Sequence, residues 1–237
     1  MNYNEELLKS YDNKFLDVES LKFLDDSDIS PSKNLFEVES LIKKKPTPKK
    51  LNLVCLVGGL PFEKEFVNEI TSIQLKISAI LENIPHYLVD PENLATECIV
   101  LKWPDNNFSE DIINKTITYL GGFELKKFKL SSFGFQFHKD GAIILRCIDS
   151  NSTMRNHRKY MMKDIKEMPT KQSSWAHVPL GRILGPVEFN VLKKLREYAL
   201  FTQKNYRFST YVKNYSLIKE YRWYQTERSL IQNFQLL

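Results

Sequence analysis

The sequence predicts an α/β fold, α+β in looser usage, of two pseudo-symmetric lobes with antiparallel-rich sheets and helices on the outside. Three observations predict it. The apolar run 51 to 57 stops at Gly58-Gly59 and leads into a helical stripe; residues 123 to 149 hold three β-rich runs; and a strand-helix-strand-helix order starts again at Ile143. The repetition lies in the order of elements and not in the residues themselves.

Residues 51 to 57 read as a buried strand, because a short, continuous apolar run bounded by glycines suits a strand covered on both faces. After Pro61, residues 63 to 81 place Phe66, Ile70, Ile73, Ile77 and Ile80 at steps of three and four, one face of a helix lying on a sheet. A short strand follows at 86 to 89, then a Pro91-Glu-Asn turn and a longer strand at 95 to 103. Ser109 is a fitting N-cap for a helix carrying Ile112, Ile113, Thr116, Ile117 and Leu120, stopped by Gly121-Gly122. The β-rich runs are 123 to 130, 133 to 137 and 142 to 148, with His138-Lys-Asp-Gly141 as a hairpin turn. Beyond them the pattern gives a helix at 152 to 166, a strand at 176 to 184, a helix at 186 to 200, and two closing strands near 206 to 212 and 216 to 224.

Residues 1 to 50 differ in kind. They carry nine Lys against ten Asp and Glu, a net −1, so the chain's +5 resides in the remainder. Asp and Ser break any periodicity at 24 to 31, and Lys43-Lys-Lys-Pro-Thr-Pro-Lys-Lys50 reads as an extended, self-repelling linker. The expected organisation is therefore a flexible charged tail at 1 to 50 and a bilobal domain at 51 to 237, its lobes at about 51 to 130 and 131 to 237. The tail's apolar residues Phe15, Leu16, Leu21, Phe23 and Leu24 leave open whether it docks on the body or on a protein partner.

Charge and composition narrow the function. A surplus of +5 is mild for a protein devoted to gripping phosphate backbones. Cys55, Cys98 and Cys147 each sit in an apolar run, as buried thiols of a reducing compartment do. No window approaches the ~18 apolar residues of a membrane span, and the first ten residues lack the form of a leader, so a cytoplasmic protein is expected. The glycine pairs are not followed by the Lys-Ser/Thr of a phosphate loop, and neither metal-ligand spacing nor a Gly-x-Ser-x-Gly elbow occurs. No cofactor and no metal are expected.

Several phrases carry a resemblance: Asp90-Pro-Glu-Asn-Leu94 leading into a strand, the aromatic hairpin of 130 to 146, Ala176-His-Val-Pro-Leu-Gly-Arg-Ile183, and Ser216-Leu-Ile-Lys-Glu-Tyr-Arg-Trp223. Together with the element order they resemble the 2H phosphoesterases, the LigT-like cyclic phosphodiesterases, over residues 51 to 237. The resemblance implies a central groove into which each lobe presents a His-x-Thr/Ser motif. Residues two apart on a strand share a face, so each motif offers one imidazole and one hydroxyl to a single phosphate. One imidazole takes a proton, the other gives one, and the hydroxyls hold the phosphoryl oxygens.

Mapped onto this chain, the second motif falls on His177-Val-Pro179, which keeps the histidine and has proline for the hydroxyl residue. The first falls on Ala95-Thr-Glu97, with alanine for the histidine and glutamate for the hydroxyl. One group of four survives, and a carboxylate at 97 would repel a phosphodiester. The expectation is a degenerate member that binds a nucleotide, an RNA end or a protein in its groove. The alternatives are an active phosphodiesterase on a 2′,3′-cyclic phosphate using His177, and an interaction scaffold worked by the tail. His177 is the candidate catalytic residue; Arg182, Arg222, Lys102 and Trp223 are candidates for ligand binding. Arg146, Trp175, Tyr221 and Tyr224 are further ones, whereas His86, His138 and His157 read as structural.

Overall fold

The computed structural model describes residues 3–237 apart from 107, 108 and 123. Two antiparallel sheets form its frame. Strands β1 (Lys50–Gly58), β2 (His86–Leu88), β3 (Thr96–Lys102), β4 (Phe128–Phe137), β5 (Ala142–Asp149), β6 (Val178–Ile183), β7 (Ser209–Val212), β8 (Asn214–Arg222) and β9 (Glu227–Gln235) divide between them. The first sheet has the order β3-β1-β8-β9 and the second β2-β6-β5-β4-β7.

Helix α4 (Lys64–Ile80) buries Phe66, Ile70, Ile73 and Ile77 as the stripe predicts, and its Gln74 Nε2 donates to the carbonyls of Val89 and Leu180, 2.9 and 3.0 Å away. α7 (Phe189–Asn205) lies beside it on the same face of the second sheet, where Phe135 meets Tyr198 and the Thr202 hydroxyl accepts from the Phe135 amide. α5 (Asp111–Gly121) and α6 (Thr153–Asp164) cover the first sheet, α6 along β3 and α5 near β9. Among the described residues no helix is long and apolar enough to cross a membrane.

Three expectations about the sheets are corrected. Residues 128 to 130 and 133 to 137 belong to one strand, β4, interrupted by a bulge between Ser132 and Phe135, while 124 to 127 lie outside any strand; Phe123 itself lies outside the described residues. Gly134 makes the bulge possible: its φ is +76°, and a Cβ there would stand 2.5 Å from the Gln203 amide nitrogen. The lobes are not contiguous in sequence either. β1 has two edges to satisfy and takes β3 on one and β8 on the other, while β2 crosses to pair with β6. Finally, the chain closes with a third strand, β9, paired along β8. Its Leu230 is exposed and Phe234 buried, so its apolar residues do not keep the alternation that would announce a strand.

The largest correction concerns residues 3–50, which are not a flexible tail. They form α1 (Tyr3–Glu19), α2 (Asp26–Lys33) and α3 (Val38–Ile42). Leu7, Tyr11, Phe15, Val18, Leu24, Ile29 and Phe36 are all buried, all but Phe36 in the main core. The sequence concealed this because α1 spaces few apolar residues among many charges, and α2 is a polar helix held by its Asp25 capping box. Arginines of the body supply the grip. Arg196 donates to the carbonyls of Val18 and Leu21, Arg182 to the Ser32 hydroxyl, and Arg222 to Glu37 and the Pro48 carbonyl. Val187 pairs with Leu24 through two backbone hydrogen bonds.

Candidate functional site

The register defines the two inner faces. In the first sheet Val57 stands opposite Glu97 and Leu53 opposite Glu220, so both glutamates share the face of Leu53, Cys55 and Val57. That face carries a small apolar cluster of its own, with Ala95, Val100 and Ile218, flanked by Trp103 and Trp223. In the second sheet Ile144 stands opposite both Gln136 and Pro179, so Gln136, Ile144 and Pro179 share a face, away from α7. By alternation Arg146 extends that face, and His177 precedes β6 two residues before Pro179.

The segments 95–97 and 177–179 therefore belong to different sheets, each on the face just described. What they present differs from a phosphate clamp. At the first, Glu97 is half-buried and its carboxyl is pushed up by burial, only partly offset by the Arg158 guanidinium. Glu220 is buried, accepts the Gln225 amide at 2.9 Å, and is pushed up to about 7 by burial, with the charge of Glu97 adding to the shift. Burial and these two carboxylates also hold the Cys55 thiol well above its ordinary value, so it is an inert thiol.

At the second, the His177 ring is pushed down to about 4, first by burial and then by the charges of His138, Arg158 and Arg182. Its Nδ1 is buried and has no hydrogen-bond partner. The imidazoles of His177 and His138 both meet the Trp175 indole edge-on, at centroid distances of 6.1 and 5.5 Å. Both imidazoles thus pack against one indole. Trp175 in turn packs against Tyr11 of α1 at 4.7 Å and donates its Nε1–H to the Ser10 hydroxyl. Tyr11 is wholly buried, its hydroxyl donating to the Cys147 carbonyl, and the Arg146 guanidinium lies 5.4 Å from its ring centre.

The expected ligand-binding residues scatter. Arg182 reaches the surroundings of His177, but its guanidinium is committed to the Tyr224 hydroxyl, Ser32 and Asp140 at 2.7, 3.2 and 3.3 Å. Arg222 is tied to Glu37 and Glu227, and Trp223 packs on the first sheet's apolar cluster. Lys102 sits at the end of β3 opposite Val54. Two of the other histidines are structural. His86 donates from Nδ1 to the Ile84 carbonyl and accepts at Nε2 from Ser78, and His157 bonds the Tyr215 hydroxyl.

Sequence reading missed Arg155, Arg158 and Lys159, spaced three and four apart on α6. With Tyr3, Gln172, Ser173, Ser174 and Trp175 they line a cavity of about 520 Å³ between α6, α1 and the 171–175 loop. Arg158 is buried and donates to the carbonyls of Cys98 and Glu97, and Arg155 lies 4.0 Å over the Tyr3 ring. The signal was a basic stripe on a helix, which by itself reads as a solvated face. Among the described residues no cluster of His, Cys, Asp or Glu has the form of a metal site.

No family model matches this chain, and no curated protein does. Solved structures do. A protein of unknown function from Agrobacterium tumefaciens strain C58 superposes with a TM-score of 0.57 at 10% identity, over 78% of this chain and 86% of that one. A Thermus thermophilus protein gives 0.56 at 12% identity, over 78% and 97%. Escherichia coli LigT gives 0.51 in its apo form at 13% identity, over 79% and 99%. The same protein in complex with 3′-AMP gives 0.50 at 12% identity, over 79% and 99%. LigT is thus matched nearly end to end, while about a fifth of this chain has no counterpart in it. The frame of two antiparallel sheets with helices outside is the fold of LigT.

Proposed function

We propose that this chain is a catalytically degenerate 2H phosphoesterase-like protein that binds a nucleotide or an RNA end at the mouth of its groove and does not turn it over. His177 carries the reading. It is the one survivor of four motif groups, its ring stays neutral down to about pH 4, and it shares the Trp175 indole with the next imidazole. A 2H mechanism needs one group to take a proton and another to deliver one, each worth about two to four orders of magnitude. Here position 95 offers a methyl group and position 97 a carboxylate.

Binding has better support. The cavity beside Trp175 gathers the cations Arg155, Arg158 and Lys159, against Glu6, with the hydroxyls of Ser173 and Ser174 on its wall. Guanidinium groups and hydroxyls suit a phosphate, and Trp175 and Tyr3 offer aromatic edges to a base. E. coli LigT, the fold neighbour, is known in complex with 3′-AMP.

The test is a binding and turnover assay of the full chain against 2′,3′-cyclic AMP, 3′-AMP and short RNAs with cyclic-phosphate ends. Expected are binding that falls about tenfold or more in the double variant R155A/K159A, and no turnover above background. Turnover abolished by His177→Ala would overturn the reading in favour of an active phosphodiesterase pairing His177 with His138. Silence in both assays would move the function to a protein partner, for which α3 exposes Val38 and Ile42.

A further inference from the structure

We propose that the outer face of α7 is a docking surface for a second copy of this chain, two α7 helices crossing antiparallel about a twofold axis at the level of Leu195. The helix lies behind the second sheet, on the side away from Ile144 and Pro179, so the surface is separate from the groove and does not depend on the groove's ligand.

Four side chains form the contact. Phe189, Lys193, Glu197 and Phe201 follow one another at steps of four along α7, a single ridge of the helix surface, and each is at least half exposed. The ridge is complementary to its own reverse. Phe189 and Phe201 stand equally far from position 195, and so do Lys193 and Glu197, whose charges are opposite. A twofold-related copy therefore sets each Phe189 beside the partner's Phe201 and each Lys193 beside the partner's Glu197, with no like charges opposed. Ridges of this kind pack against one another at about 50°, the commonest crossing of helices in globular proteins.

Both ends and the centre of the ridge are prepared for a partner. Large apolar side chains that the protein exposes stand at each end, Phe23 and Phe189 at one and Leu200 and Phe201 at the other. Phe23 is brought there by the pairing of Leu24 with Val187. Phe201 is held in place, stacked on Tyr198 with ring centres 6.5 Å apart and met edge-on by Tyr206 at 5.9 Å, so it gives up little freedom on docking. Beside Phe189 lies a hollow of about 550 Å³ lined by Lys22, Phe23 and Glu188, with room for the partner's Phe201 ring. At the centre, Lys193 and Glu197 of one helix are 3.9 Å apart, in the weaker order with the lysine first, and both are solvated. Both therefore remain available to a second copy.

The experiment follows the mass of the full chain by sedimentation at low ionic strength, where exposed charges are least screened. Two crossing helices make a small interface, so a dissociation constant of about 10–100 μM is expected. Phe189→Ala and Phe201→Ala should each weaken association about tenfold or more. Charge reversal tests the register. Lys193→Glu opposes glutamates at both charged contacts and Glu197→Lys opposes lysines, so each variant alone should associate about tenfold more weakly. An equimolar mixture of the two should pair to within about threefold of wild type, because every charged contact between them is then of opposite sign. Recovery in the mixture cannot be imitated by a defect of folding in either variant. A chain that stays monomeric up to about 1 mM overturns the proposal. So does a dimer that both phenylalanine variants keep, which would lie on another face, and so does a mixture that associates no better than its components, which would exclude the antiparallel register.

Discussion

The two inner faces of this molecule differ in chemistry. The first sheet carries Glu97, Glu220 and an inert thiol on this face, and the second carries His177, Arg146 and Arg182. A 2H site depends on the two faces being alike, since each must offer an imidazole and a hydroxyl to one phosphate. The frame tolerates the difference because backbone ladders and the helices behind each sheet hold it, and neither uses the inner side chains. The faces also differ in cover. α1 is laid over the second and bonded into it, whereas the first keeps a small apolar cluster flanked by tryptophans.

The difference in cover predicts the largest effect. Tyr11→Ala should cost about 3–5 kcal/mol in denaturant unfolding, as loss of a fully buried aromatic does, while Phe23→Ala, at 58% exposure in the same segment, should stay within about 0.5 kcal/mol. Equal effects would show that the cover is loosely attached.

The difference in charge predicts the next. Glu220 is protonated more readily in the folded state than in the unfolded, so its contribution is fully present below pH 4.5 and is lost as pH rises through about 7. Glu220→Gln should therefore leave stability unchanged at pH 4 and raise it by up to about 3 kcal/mol at pH 8. A flat difference across that range would show that the first face is wetter than its register implies.

His177 is the mirror case. Its folded value near 4 lies below the ordinary 6.5, so its contribution is present above pH 6.5 and disappears as pH falls through 4. The ring nitrogens, followed by NMR, should titrate near pH 4; a midpoint above 6 would make the imidazole solvated and the second face open. The smallest effect belongs to the clamp at the edge of the first sheet, where Arg222→Lys should cost about 1 kcal/mol by losing the fork that spans Glu37 and Glu227.

The sequence disclosed those parts whose pattern follows from their own burial. β1 is apolar because both faces are covered, and α4 shows its stripe because one face lies on a sheet. The hairpin at 138 to 141 was legible from its glycine, which adopts φ +84° and closes the turn onto His138. The motif positions were matched by phrases alone, which say nothing of what packs around them. What stayed hidden is relational. Tyr11 and Phe15 bury against residues more than a hundred positions away, and a few apolar residues among many charges do not announce that. Arg182 and Arg222 read as phosphate contacts because position suggests it, and only the fold reveals that Asp140 and Glu37 already hold them.

The arginine clamp on residues 3–50 has a consequence for how the protein comes into being. Asp12 waits for Arg146, Val18 for Arg196 and Glu37 for Arg222, so the segment's contacts span 134, 178 and 185 positions. Whatever precedes it, this stretch leaves the ribosome well before its partners, at roughly 5–20 residues per second, and must stay apart for many seconds. Its alternation of few apolar residues with many charges, which hides it from pattern reading, also keeps it soluble through that interval. The earliest of these residues to be made are among the last to be put in place.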